Sequence, residues 1–202
     1  MPKITAFVQS LQDMENTSTV YNPYLIQDFA DNLEKYLRSM QKQKGRHILL
    51  VGEAPGYRGC RHTGIPFSSS YLFQNSHHPF ISRLGKRIQL HSESKETTAQ
   101  IVWDYLLKQE LVPLFWNAYP FHPHLEGNEL SNRSPKKAEI IKAMIFLKML
   151  GEIFNVEKVA SLGRAGSFAA ENTFPHLSIR YIRHPSYGGK KDFVQGMNAF
   201  LR

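Results

Sequence analysis

The chain has 202 residues, a length that suits one domain with a sizeable core. Its 25 lysines and arginines outnumber its 17 aspartates and glutamates, and the resulting charge of +8 favours a polyanionic partner. No apolar stretch approaches a membrane helix and no signal-peptide pattern opens the chain, so we expect a protein of the cell interior. We also expect it to be a monomer. The single cysteine excludes an internal disulfide and an iron–sulfur cluster.

Helical and strand patterns alternate along the chain. Asn22–Pro23 opens an amphipathic helix whose apolar positions recur at three- and four-residue spacing as far as Met40. The apolar run His47–Val51 predicts a buried strand that ends at Gly52, and a long loop follows it. The remaining predicted elements are helices over 80–90 and 97–108, a strand over 112–118, a helix that begins at Pro135 with Ser134 as its cap, a strand over 156–163, a helix over 165–172, a strand over 177–183 and a helix from about Lys191.

This alternation predicts an α/β fold, with a parallel sheet that helices cover on both faces. We expect a single domain over residues 1–202, with an N-terminal helical segment over about residues 1–45. In such sheets, ligands bind beyond the carboxyl ends of the strands. The most unusual residues of the sequence all lie in loops that follow predicted strands, so we expect them to meet at one edge of the sheet.

Four short motifs occupy those loops. Their sequences are Gly52-Glu-Ala-Pro-Gly56 and Thr63-Gly-Ile-Pro-Phe67 after the first strand, Asn117-Ala-Tyr-Pro120 after the second, and His184-Pro-Ser-Tyr-Gly-Gly189 after the fourth. In this order they resemble the uracil-DNA glycosylase superfamily, over roughly residues 46 to 193, with Ser161-Leu-Gly-Arg164 as a supporting match. The residues of the first motif resemble those of the thermostable branch of the superfamily. The spacing from Gly52 to Phe67 is closer to the single-strand-selective monofunctional branch.

The resemblance implies a three-layer α/β/α sandwich around a four-stranded parallel sheet. It also implies a DNA-repair enzyme that flips a damaged base, uracil first among candidates, and hydrolyses its glycosidic bond to leave an abasic site. The chemistry agrees, because a base buried in the DNA stack must be extruded into a pocket before it can be attacked. Deaminated purines (hypoxanthine and xanthine) are alternative substrates, and a catalytically silent nucleic-acid-binding relative is an alternative function.

The residues expected to hold the base come from three of the motifs. Asn117 corresponds to the residue that reads the base, since its amide offers one donor and one acceptor to a carbonyl–imide pair. Phe67 corresponds to the aromatic ring that stacks on the flipped base. Ala54 takes a position that carries Asp or Asn in several branches, and Tyr57 is a candidate steric block against thymine. A loop-capping Asn and a core Phe are the structural alternatives for the first two.

Two residues are expected to carry the catalysis. His184 corresponds to the histidine that donates to the departing base, on which negative charge develops as the bond breaks. Glu53 is the only carboxylate of the first motif, and we expect it to position or activate water. No lysine lies within the motifs Gly52–Gly56, Thr63–Phe67 and Asn117–Pro120, which disfavours lyase chemistry through a Schiff base.

The loop after the fourth strand is expected to contact DNA. Tyr187 is a candidate wedge for the gap that the flipped base leaves, and Lys190 and Lys191 are candidate phosphate ligands. A glycine turn with solvated lysines is the alternative interpretation of this loop. Four further residues complete the predicted DNA surface: Ser68, Ser186, Arg58 and Arg61, with Gly188 giving the loop its freedom.

The histidines do not predict a metal site. His122 and His124 flank a proline and His77 adjoins His78, but no cysteine pair and no His-Glu-x-x-His helix accompanies them. We therefore expect no metal and no cofactor, with DNA as the partner. An α/β enzyme that acts on free nucleosides is a further alternative, which the basic charge disfavours.

Overall fold

The computed structural model describes residues 2–186 and 188–202. Its helices are α1 (Pro2–Gln12), α2 (Gln27–Met40), α3 (Ser70–Asn75), α4 (Pro79–Gly85), α5 (Thr97–Leu106), α6 (Lys137–Phe154), α7 (Gly163–Thr173) and α8 (Lys190–Leu201). Its strands are β1 (Val20–Tyr21), β2 (Ile48–Gly52), β3 (Leu114–Asn117), β4 (His122–Pro123), β5 (Lys158–Leu162) and β6 (Ile179–Ile182).

The main sheet has four parallel strands in the order β3-β2-β5-β6, which confirms the predicted fold class. Helices flank the sheet in a three-layer α/β/α arrangement: α7 packs against β2, β5 and β6, and α8 packs against β6. The side chains of β2 and β3 are nearly all buried, as expected for parallel strands covered on both faces. Within the described residues, no helix has the length and apolar character needed to cross a membrane.

The first helix belongs to the core. The residues Ile4, Phe7, Val8 and Leu11 follow one another at helical spacing and are all buried. Helix α1 packs against α2 and α6, and the ring of Phe7 lies 5.2 Å from that of Trp116 on β3. The N-terminal segment therefore supports the strand that carries Asn117.

Several element boundaries differ from the sequence prediction, each for a local reason. Asn22 accepts a hydrogen bond from the N–H of Tyr24 at 2.9 Å and caps a 3₁₀ turn, so α2 begins only at Gln27. Ser134 is not the cap of α6, because a carboxylate oxygen of Glu139 accepts the N–H of Lys136 and starts the helix there. The structure also contains elements that were not predicted: α3, and the antiparallel pair of β1 and β4.

Candidate active site

The carboxyl ends of β2 and β3 form one side of a small cavity. Gly52 lies opposite Asn117 in the sheet register, and the pairing continues into the loops because Ala118 donates to Gly52 at 2.9 Å and Tyr119 to Glu53 at 3.0 Å. The strand order reverses beside β2, because the chain passes from β2 to β3 on one side and then returns to β5 on the other, and such a switch point opens a crevice. The cavity measures about 140 Å³ and is lined by Gly52, Glu53, Ala54, Pro55, Gly56, Gly59, Cys60, Phe67, Ser68, Glu96, Thr98, Asn117 and His184.

Phe67 is held rigidly at the cavity wall. Its φ of 53° lies in the left-handed region, which bulky residues rarely adopt and which is concentrated at functional sites. The backbone oxygen of Phe67 accepts a 2.8 Å hydrogen bond from the indole of Trp103, and its ring lies 5.1 Å from that of Phe115. These contacts fix the position of the ring at the cavity wall.

Gly52 allows that ring and the Asn117 amide to approach the end of β2. A Cβ atom at Gly52 would lie 2.5 Å from Cζ of Phe67 and 2.8 Å from Oδ1 of Asn117. Asn117 itself is only 5% exposed, and no hydrogen bond joins its amide to any described side chain or backbone group. A nearly buried amide without an internal partner is suited to receive a ligand that has a complementary donor and acceptor.

The surroundings of His184 indicate which ring nitrogen carries hydrogen and whether the ring is charged. The backbone N–H of Ser186 donates to Nδ1 at 3.2 Å, so a neutral imidazole carries its hydrogen on Nε2. Burial lowers the pKa of His184, while the negative charges of Glu96 and then Glu53 raise it. Burial outweighs the two carboxylates, which favours a neutral ring with an Nε2–H donor at the cavity.

The cavity contains two carboxylates, of which the sequence motifs indicate only one. Glu53 is half-buried, and no hydrogen bond within the described residues restrains its side chain. Glu96, which sequence reasoning missed, lies at the start of α5, where its two oxygens accept the N–H groups of Thr98 at 2.8 Å and Ala99 at 2.6 Å. Its position immediately before a predicted helix was the signal that could have identified it.

A crystal structure of SMUG2 from Pedobacter heparinus, a uracil-DNA glycosylase superfamily member, is similar to this chain. The TM-score is 0.66, over 98% of this chain and 97% of that one, at 15% sequence identity. This chain has the uracil-DNA glycosylase fold. No protein-family model and no curated protein matches its sequence.

The glycosylase fold brings Glu53, Ala54, Phe67, Asn117 and His184 to one cavity, although they come from two separate loops and a strand end. Parallel strands make this possible, because all their carboxyl ends lie at one edge. The predicted grouping of these five residues therefore agrees with their positions, while their roles remain predictions.

Three predicted site residues lie elsewhere or face inward. Tyr57 lies outside the cavity, in a depression that it shares with Arg58 and His62, so its position does not support a steric block against thymine. Arg61 is only 8% exposed; it pairs with Glu129 at 2.6 Å and lies over a tyrosine ring, which corrects its prediction as a DNA contact.

Ser68 also requires correction as a phosphate contact. It is 1% exposed, and its hydroxyl bonds to Oγ1 of Thr63 and to the carbonyl of Ile65, both at 2.7 Å. These bonds stabilise the loop that ends in the Phe67 turn. A phosphate could reach the hydroxyl only if the loop opened.

The other predicted DNA contacts are at the surface of the glycosylase fold. Arg58 is exposed, Lys190 and Lys191 lie in the exposed first turn of α8, and Gly188 has a φ of 78°. The Ser186 hydroxyl is 3.5 Å from that of Thr98. Tyr187 lies outside the described residues.

His122 connects two loops beside the cavity. Its Nδ1 lies 2.7 Å from the carbonyl oxygen of Pro55, and its Nε2 lies 3.1 Å from that of Glu129. The ring also stacks on that of His124. No group of three or more histidine, cysteine, aspartate or glutamate side chains suited to a metal occurs in residues 2–186 and 188–202.

Proposed function

We propose that this protein is a monofunctional DNA glycosylase that flips uracil from DNA into the cavity and hydrolyses its N-glycosidic bond. One observation carries the proposal: an aromatic ring, an amide, an imidazole donor and a carboxylate line one cavity at the carboxyl ends of parallel strands. The fold similarity to SMUG2 supports it, and so does the charge of +8, which suits a polyanionic substrate.

Base recognition is assigned to Phe67 and Asn117. The Phe67 ring stacks on the flipped base, an interaction of about 1–3 kcal/mol that tolerates any base. Discrimination therefore comes from Asn117, whose amide donates to a carbonyl of uracil and accepts from its imide N–H. Ala54 completes the wall beside them.

Bond cleavage is assigned to His184 and Glu53. As the glycosidic bond breaks, its electron pair moves to the base, and the Nε2–H of His184 stabilises the negative charge that develops there. Glu53 holds a water molecule, accepts its proton as the oxygen bonds to the cationic sugar carbon, and so leaves an abasic site. The carboxylate charge also stabilises the sugar cation before attack.

The exposed residues near the cavity are assigned to the DNA backbone. Lys190 and Lys191 project from the first turn of α8, directly after the loop that carries His184, and are proposed to bind phosphates on either side of the flipped nucleotide. Arg58 and Ser186 are proposed to contact the same backbone. Tyr187 stays a candidate wedge on its sequence position alone.

A single-turnover cleavage assay tests the proposal. Labelled oligonucleotides that contain U·G, U·A, single-stranded uracil, hypoxanthine or xanthine are incubated with wild type and with Asn117→Ala in EDTA, then treated with alkali. We expect uracil cleavage that survives EDTA and falls by about a hundredfold in the variant. If only the purine lesions are cleaved, the substrate is a deaminated purine and the proposed mechanism still applies. If no substrate is cleaved, the result favours a catalytically silent nucleic-acid-binding protein. Release from oligonucleotides but not from deoxyuridine would exclude a free-nucleoside enzyme.

A further inference from the structure

The excess of positive charge lies in two stretches of the chain. Residues 35–52 contain five lysines and arginines, residues 76–92 contain three, and neither stretch contains an aspartate or a glutamate. The remainder of the chain has 17 lysines and arginines against 17 aspartates and glutamates, so these two stretches carry the whole excess of +8. Such an asymmetry is typical of a surface that attracts polyanions.

The fold brings the two stretches together. Helix α2 packs against α4, and the ring of Tyr36 lies 6.2 Å from that of Phe80. Beside these two helices lies a groove of about 810 Å³, which we call the basic groove. Its lining includes the buried side chains of Phe80 and Leu84. All the charged residues that line it are cations: Arg38, Lys42, Arg83, Lys86 and Arg87.

Structural roles account for only some of these cations. Arg38 forms a salt bridge with Glu34 on its own helix, whereas no salt bridge within residues 2–186 and 188–202 involves the other four, which are exposed. Arg38 and Arg83 lie in the last turns of α2 and α4, where a cation is favourable to the helix dipole. Three cations lie beyond those turns, where the dipole does not explain them: Lys42, Lys86 and Arg87.

The basic groove is separate from the cavity. The chain leaves α2 at Met40 beside the groove and enters β2 at Ile48, whereas the cavity begins at Gly52, where β2 ends. The five residues of β2 span about 16 Å, and no described residue lines both sites. DNA is stiff over this distance, so we do not expect the duplex that presents a base to the cavity to curve into the groove as well.

We propose that the basic groove binds the phosphate backbone of a second DNA segment while the cavity face holds the first. The role of the cavity face rests on the function proposed above. Lysine and arginine side chains neutralise phosphates and release condensed counterions, and these contacts do not depend on the base sequence. The one aromatic ring in the described lining, Phe80, is only 4% exposed and offers no surface for base stacking, which agrees with a backbone contact.

Energy transfer between two labelled duplexes tests the proposal. Undamaged duplexes of about 12 base pairs, slightly more than one helical turn, carry either a donor or an acceptor dye and are mixed with the full chain at low salt. Light scattering on the same samples counts the protein molecules in each complex. The groove variant is Lys42→Gln/Lys86→Gln/Arg87→Gln, which keeps the arginines of the last helical turns. The control variant, Lys3→Gln/Lys142→Gln/Lys148→Gln, removes the same charge from exposed lysines of α1 and α6.

We expect energy transfer on single molecules of wild type and of the control variant, whereas the groove variant should need at least about tenfold more protein. The loss of three phosphate contacts should also make the slope of log affinity against log salt concentration about 2–3 units shallower, because each contact contributes about 0.9. Equal energy transfer in the groove and control variants would overturn the proposal, and so would transfer only in complexes of two protein molecules.

A poly-glutamate peptide serves as the competing probe. If the groove variant loses the peptide but keeps the energy transfer between duplexes, the groove binds an acidic protein segment and the proposal is wrong. Because the DNA probe is undamaged and the readout is binding, the result does not depend on whether the protein cleaves uracil. Failure of the proposed function and failure of this proposal are therefore distinguishable.

Discussion

Replacement of Gly52 by alanine tests whether the close approach at the end of β2 is needed for function. The new Cβ would lie 2.5 Å from Cζ of Phe67 and 2.8 Å from Oδ1 of Asn117, whereas carbon atoms pack at about 3.5–4.0 Å. The phenylalanine ring must therefore retreat by about 1 Å, and the amide must shift with it. Both side chains are proposed to bind the flipped base, so both contacts change together.

The expected loss is mainly catalytic. A misplacement of about 1 Å costs on the order of a hundredfold in rate, so we expect single-turnover cleavage by Gly52→Ala to fall by about that factor. Overpacking costs about 1–3 kcal/mol, and the smaller entropy of the unfolded alanine chain offsets about 0.4–1 kcal/mol of it. The melting temperature should therefore fall by only a few degrees, about 2–4 °C per kcal/mol for a chain of this size.

Gly151→Ala is the matched control. A Cβ at Gly151 would lie 2.5 Å from Cε1 of Phe174, so the variant also pushes on a phenylalanine ring, but between α6 and the end of α7, away from the cavity. It should lower the melting temperature to a comparable extent and leave the proposed cleavage activity of the folded protein unchanged. The reasoning would be refuted if Gly52→Ala cleaved uracil within about threefold of wild type while remaining folded.

Two further predictions concern stability. The guanidinium of Arg133 donates to both carboxylate oxygens of Glu139, at 2.7 and 2.8 Å, and these hydrogen bonds lower the pKa of Glu139. The stability that the pair contributes is therefore present at neutral pH and is lost as pH falls through the lowered pKa. Melting temperatures measured from pH 7 into the acid range should decline less steeply in Glu139→Gln than in wild type, and equal slopes would contradict this. The second prediction concerns Tyr36. Its hydroxyl accepts a hydrogen bond of 2.8 Å from the N–H of Phe115 on the edge strand β3. Tyr36→Phe leaves that buried N–H without a partner and should cost about 1–3 kcal/mol in urea unfolding, an expectation that unchanged stability would exclude.

The local patterns of the chain were sufficient to predict the parallel sheet and the position of the cavity. Buried parallel strands appear as continuous apolar runs, and polar motifs directly after such runs must meet at one edge. For this reason Glu53, Asn117 and His184, which are far apart in sequence, could be assigned to one cavity without a structure. The helix boundaries were less predictable, because caps such as Asn22 and Glu139 depend on hydrogen bonds that competing residues could also make.

The surroundings of individual charged residues depended on the tertiary structure. The sequence alone suggests that Arg61 is a surface cation, yet its contacts with Glu129, 68 residues away, and with a tyrosine ring remove it from the predicted DNA-binding surface. Glu96 resembles an ordinary residue before a helix, yet the packing of α5 against the His184 loop brings its charge to the cavity. Residue type and spacing determine which helices and strands form, because secondary structure depends on short-range preferences. Which charged residues become partners depends instead on contacts between distant segments, and these form only when the chain folds.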